Sequence, residues 1–158
     1  MKKVMITGIG MLSASGNGKD AAWAAIRAGK PGIGRITQFD PSKCTSQVAA
    51  EVRDFQAYAI DSGLVDRKAA RHMARFSQFA VAVAKEAWAD AGYGEANRPD
   101  MDRVATIFGV GIGGMEVTGE NYKILFDRGP DRLSPLAVPE LIPNEAPEIG
   151  RASYRERV

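Results

Sequence analysis

The sequence predicts an α/β protein built on a largely parallel sheet. Two apolar, β-prone runs, Val4–Ile9 and Val104–Phe108, each empty into glycines, a pattern of strands buried on both faces. Around them lie segments whose apolar residues recur every three or four positions, the period of helices. The order strand, helix, helix, strand, helix fits parallel strands joined by crossover helices.

Val4–Ile9 reads as the first strand, followed by a loop through Ser13–Gly18. Asp20–Ala28 reads as a helix with Trp23 and Ile26 on one side and Gly29 as its stop. Lys30–Gly34 is a turn, and Val48–Val52 a short strand near an edge. Met73–Ala91 is the clearest helix: Met73, Phe76, Ala80, Val83, Ala87 and Ala91 share a face, and Gly92 ends it. Its many alanines allow close approach of a neighbour, which places it deep in the structure. Val104–Phe108 is the second buried strand. Glu116–Asp127 is a helix with Tyr122, Leu125 and Phe126 as its apolar side, and beyond Gly129 the chain turns proline-rich.

Composition narrows the function classes. The 158 residues suffice for one domain, and 45% hydrophobic with 25% charged content is ordinary for a globular protein. A net charge of +2 argues against a general nucleic-acid binder. One cysteine and one histidine exclude an internal disulfide and a structural zinc site. No apolar run reaches the length of a membrane span. Lys2-Lys3 before an apolar stretch mimics a secretion signal, but Gly8 and Gly10 interrupt that stretch. The strand reading is preferred, and with it a cytoplasmic protein.

Gly109-Val110-Gly111-Ile112-Gly113-Gly114 satisfies G-x-G-x-x-G between a strand and a helix. In a nucleotide-binding module those glycines bring phosphate to the helix N-terminus. The motif needs a following strand with an acidic residue, whereas here a helix and prolines follow. Cys44 has no histidine or helix start beside it and reads as an incidental thiol. His72 sits in Asp66-Arg67-Lys68-Ala69-Ala70-Arg71-His72-Met73, a basic entry to the long helix. That patch is either a solvated helix start or a dock for an acidic partner. No complete catalytic set can be built from these residues.

Taken together, the motifs resemble the β-ketoacyl-acyl-carrier-protein synthases, most closely the elongating synthase II type. Val4-Met5-Ile6-Thr7-Gly8-Ile9-Gly10 is similar to their opening strand. Ser15-Gly16-Asn17-Gly18, Trp23 and Ala28–Gly34 follow in order, as do Phe39-Asp40, Asp66-Arg67-Lys68 and Arg75-Phe76. Gly109–Gly114, Gly129-Pro130, Ser134-Pro135 and Leu141-Ile142-Pro143-Asn144 complete the match over residues 1–144.

The resemblance implies an incomplete thiolase-like fold, the first part of a duplicated α/β unit with a mostly parallel sheet and flanking helices. It implies decarboxylative Claisen condensation of an acyl thioester with malonyl-acyl-carrier-protein, by a cysteine nucleophile, two histidines and a lysine. Cys44 and His72 do not fall at those positions, so the catalytic set is expected beyond this chain and the chain alone is expected to be inactive. No cofactor is expected. Ile112, flanked by Gly111 and Gly113, matches the residue lining the family's acyl pocket near the subunit boundary. Lys68, Arg71 and His72 match basic positions that meet the acidic acyl carrier protein, with His72 replacing a usual basic residue. A second synthase subunit is the other implied partner. Ala74 and Leu136-Ala137 depart from the family's usual acidic and aromatic residues.

Residues 145–158 are expected to be a non-native tail. Glu148–Val158 resembles a translated sequencing adapter, with Tyr154 where that string carries cysteine. The gene product is expected to depart from this chain after Asn144. Two other readings are a non-catalytic chain-length-factor-like subunit and the nucleotide-binding module on Gly109–Gly114.

Overall fold

The computed structural model describes residues 3–94 and 96–149. Its chain makes two small antiparallel sheets and a set of helices. Strand β1 (Leu12–Ser13) pairs with β2 (Gly16–Asn17), and β3 (Ile33–Arg35) pairs with β4 (Val48–Ala50). Helices α1 (Lys19–Arg27), α2 (Arg67–Ala70), α3 (Arg75–Asp90), α4 (Met115–Arg128) and α5 (Ala137–Leu141) complete it. A π-helical turn at Gln56–Asp61 leads towards α2.

The helices follow their local signals. Glycines at positive φ stand just beyond three of them: Gly29 at 64°, Gly92 at 77° and Gly129 at 82°. A side chain is strained in that region, so glycine ends the helix cheaply. Asp66 caps α2 by accepting the Ala69 N–H at 2.7 Å. The core is centred on Phe55, Ala59, Ile60 and Val65 around the π-helical turn and on Val81 and Ala82 of α3. Phe55 and Phe79 meet edge to face with centroids 4.7 Å apart, a favoured geometry for aromatic pairs.

The α/β composition stands; the sheet needs a correction. Val4–Ile9 and Val104–Phe108 are not strands among the described residues, and no parallel pairing forms there. Val4 is 95% exposed, Ile6 84% and Ile107 88%. A parallel strand needs a hydrogen-bonded neighbour and cover on both faces, and neither run has them here. The first run instead lies along α3 by one face. A Cβ on Gly8 would stand 2.1 Å from the Ala87 carbonyl oxygen, and one on Gly10 1.9 Å from that of Val83. The neighbour that the alanines of α3 admit is thus a glycine-bearing extended segment.

Two carboxylates one helical turn apart on α3 hold that segment. Glu86 accepts the Met11 and Lys19 backbone N–H groups, each at 2.9 Å on a different oxygen. Asp90 accepts the Ile9 N–H at 3.0 Å and pairs with the Lys19 ammonium. The apolar side expected for α4 is largely uncovered: Tyr122 and Phe126 stack on each other at 6.2 Å yet remain exposed, while Leu125 is half-buried. Val117 is the residue that α4 buries.

Candidate functional site

The glycine run at 109–114 divides into two halves. Around Gly109 and Gly111 there is open space, with nothing within 4 Å of an added Cβ. Gly113 and Gly114 press against the end of α5, where a Cβ on Gly113 would meet the Leu141 carbonyl oxygen at 2.0 Å. The Gly114 N–H donates to that same oxygen at 3.2 Å, and the Met115 N–H donates to the Gly113 carbonyl at 2.7 Å. Glu116, in the first turn of α4, accepts the Arg75 N–H at 2.8 Å.

These contacts weigh against a phosphate cradle. Phosphate at a helix start needs unpaired N–H groups and a positive dipole end. Here the first two N–H groups are already donated, and a carbonyl oxygen and a carboxylate stand beside them. The nucleotide-binding reading of Gly109–Gly114 loses its donors for this physical reason. Ile112 is 70% exposed, so its side chain projects from a thin glycine-flanked loop and is not enclosed.

Lys68 lies in α2, Arg71 is its C-cap residue, and His72 follows; all three are exposed. Arg67 pairs with Asp61 at 2.6 Å, whereas Lys68 and Arg71 have no acidic partner among the described residues. The structure therefore brings the three sequence-predicted docking residues together on one solvent-facing stretch. Cys44 is exposed, and among the described residues no group of His, Cys, Asp and Glu is placed to hold a metal ion.

A cleft that sequence reasoning missed lies between the β3–β4 hairpin and the start of α3. It measures about 750 Å³, and its walls include Arg35, Arg53 and Arg75 together with Asp54 and Phe55. Arg75 donates to the Val52 carbonyl at 2.9 Å, and its guanidinium lies 5.7 Å from the Phe55 ring centroid and 5.0 Å from that of Phe79. Such cation–π contacts fix the group in place. Asp54 holds a left-handed φ of 54°, a conformation that aspartate tolerates better than most residues. Nearby, Glu51 accepts the Thr37 N–H and hydroxyl and the Gln38 N–H, which hold its carboxyl below the usual range. Three arginines distant in sequence gave no local signal.

Comparison with known proteins places this arrangement. The family model described as "Beta-ketoacyl synthase, N-terminal domain" matches residues 1–155. A 3-oxoacyl-[acyl-carrier-protein] synthase 2 of Coxiella burnetii is 43% identical over 154 residues, covering 97% of this chain and 36% of that protein. The Synechocystis protein of the same name is 38% identical over 145 residues, covering 92% of this chain and 34% of the relative. The chain thus spans about a third of the length of the curated relatives it matches.

Among solved structures, the ishigamide ketosynthase/chain length factor superposes with a TM-score of 0.74 at 26% identity, over 94% of this chain and 36% of that one. A beta-ketoacyl synthase from Burkholderia phymatum gives 0.75 at 25% identity, over 98% and 37%. A type II PKS ketosynthase, solved in complex with its acyl-carrier protein, gives 0.68 at 17% identity, over 98% and 39%, a likeness of fold alone. The thiolase-like ketosynthase architecture accounts for the partial α/β structure seen here. With a family model that runs over nearly its whole length, the chain belongs to the beta-ketoacyl synthase family and corresponds to its N-terminal domain.

Proposed function

We propose that this chain is the N-terminal part of an elongating 3-oxoacyl-[acyl-carrier-protein] synthase of fatty acid biosynthesis. The carrying observation is its 38–43% identity to relatives of that name over nearly all of its length. In this reading the complete protein condenses an acyl thioester with malonyl-acyl-carrier-protein, losing carbon dioxide. The nucleophile and its histidines lie beyond this chain, so the chain alone carries no condensing activity. Ile112, Gly111 and Gly113 contribute to the acyl pocket, and Lys68, Arg71 and His72 receive the acidic carrier protein by charge attraction. The working form is a cytoplasmic homodimer.

The family match runs over residues 1–155; the reading of residues 145–158 as a non-native tail is part of this proposal. The gene read onward from the Asn144 codon in an independent clone, then expressed and supplied with acyl- and malonyl-carrier protein, is the test. The reading expects elongated acyl product. A complete protein without condensing activity contradicts it.

A second reading is a non-catalytic partner subunit, favoured by the likeness to a ketosynthase/chain length factor. The residue at the nucleophile position separates the two: cysteine for the enzyme, another residue for the partner subunit.

A further inference from the structure

Arg35 and Arg53 are exposed, and neither has an acidic side chain in an ion pair among the described residues. They face the same cleft as Arg75, whose guanidinium is already fixed by the Val52 carbonyl and two phenyl rings. Gly34 makes the cleft accessible to Arg53: a Cβ there would stand 2.5 Å from the Arg53 Nη2. The Arg53 guanidinium thus reaches in beside the Gly34 backbone, its Nη2 nearest. Against three arginines the cleft wall carries one carboxylate, Asp54, and the buried Glu51 behind Thr37 and Gln38 is the other acidic group that Arg53 feels. A cleft with this charge excess and an open mouth suits carboxylate side chains of a protein, because the arginine fork binds carboxylate in two-pronged fashion.

The cleft and the patch at Lys68, Arg71 and His72 are linked by neighbouring elements of the chain. The π-helical turn Gln56–Asp61 leads from the Arg53 side of the cleft and packs against α2. Its six residues span at most about 9 Å. Arg75 follows His72 after two intervening residues. A protein interface covering about 800 Å² on each partner is wide enough to reach both places.

We infer that this cleft is a second anchor for the acidic docking partner, taking its carboxylate side chains between Arg35, Arg53 and Arg75. The inference rests on the docking reading given above, and the experiment separates the two. The acidic carrier protein is titrated against the complete synthase at low and at high salt, for wild type, Arg35→Ala/Arg53→Ala, Arg53→Lys and Lys68→Ala/Arg71→Ala. Both arginines are exposed, so the thermal melt of the variants stays at the wild-type value. The cleft pair weakens binding by about fivefold at low salt, the loss shrinks at high salt, and Arg53→Lys recovers part of it. If only the Lys68→Ala/Arg71→Ala pair weakens binding, the cleft is not an anchor and the docking reading survives. If only the cleft pair does, the cleft stands and the Lys68 patch is rejected. If neither pair changes the affinity, both are wrong.

Discussion

Gly10 lies so close to Val83 that a Cβ on residue 10 would stand 1.9 Å from the Val83 carbonyl oxygen. The obstacle is helix backbone, which cannot rotate aside as a flexible side chain can. Gly10→Ala therefore pushes the first segment off α3, at a cost of about 1–3 kcal/mol by the scale of overpacked cores. Gly109→Ala meets nothing within 4 Å and leaves stability within ~0.5 kcal/mol of wild type. Denaturant midpoints of the two variants in the complete protein check the contrast. Equal midpoints contradict the packing described for Gly10.

Glu86 satisfies two backbone N–H groups from different elements, those of Met11 and Lys19. Glu86→Ala leaves both without an acceptor, at a cost of about 1–3 kcal/mol for each group that water does not reach. Hydrogen exchange at Met11 and Lys19 accelerates in the variant while exchange at the middle of α3 changes less. Unchanged protection at both amides counts against the clamp.

The Asp90 carboxyl is held below its ordinary value of 3.8, first by the Lys19 ammonium and then by the Ile9 N–H. Because folding lowers this pKa, its stabilisation is complete above 3.8 and is lost as pH falls through the lower folded value. Lys19 is raised above 10.5 by the same pair, so its share persists below 10.5 and fades as pH climbs through the higher folded value. Between those limits the pair gives a flat profile. Asp90→Asn removes part of the acid-limb slope in a series of melts from neutral to acid pH. An Asp90→Asn profile that superimposes on wild type contradicts the assignment.

Ile112 is expected to face the acyl chain in the complete enzyme. Ile112→Phe adds bulk beside a thin glycine wall and reduces the use of long acyl primers by about tenfold relative to short ones. Product chain lengths read by mass spectrometry decide it, and an unchanged distribution rejects the assignment.

The helices were legible because their signals are local. Asp20–Ala28, Met73–Ala91 and Glu116–Asp127 were expected where Lys19–Arg27, Arg75–Asp90 and Met115–Arg128 form. The edge strand expected at Val48–Val52 appears as Val48–Ala50. The two apolar runs misled about the sheet because strand pairing depends on neighbours distant in sequence, and their composition says nothing about whether those neighbours stand beside them. The roles of Gly8, Gly10, Glu86 and Asp90 were hidden for a related reason: each acts on a partner about 70 or more residues away. The basic stretch at Lys68–His72 was legible as a cluster, whereas the Arg35, Arg53 and Arg75 cleft exists only once the hairpin folds against α3.

Under the proposed function, the reacting groups of the condensing enzyme lie outside this chain. The most direct test is carbon dioxide release from malonyl-acyl-carrier-protein by a polypeptide of this exact sequence. Release at the rate of the protein-free blank is expected. Turnover above that blank contradicts that placement.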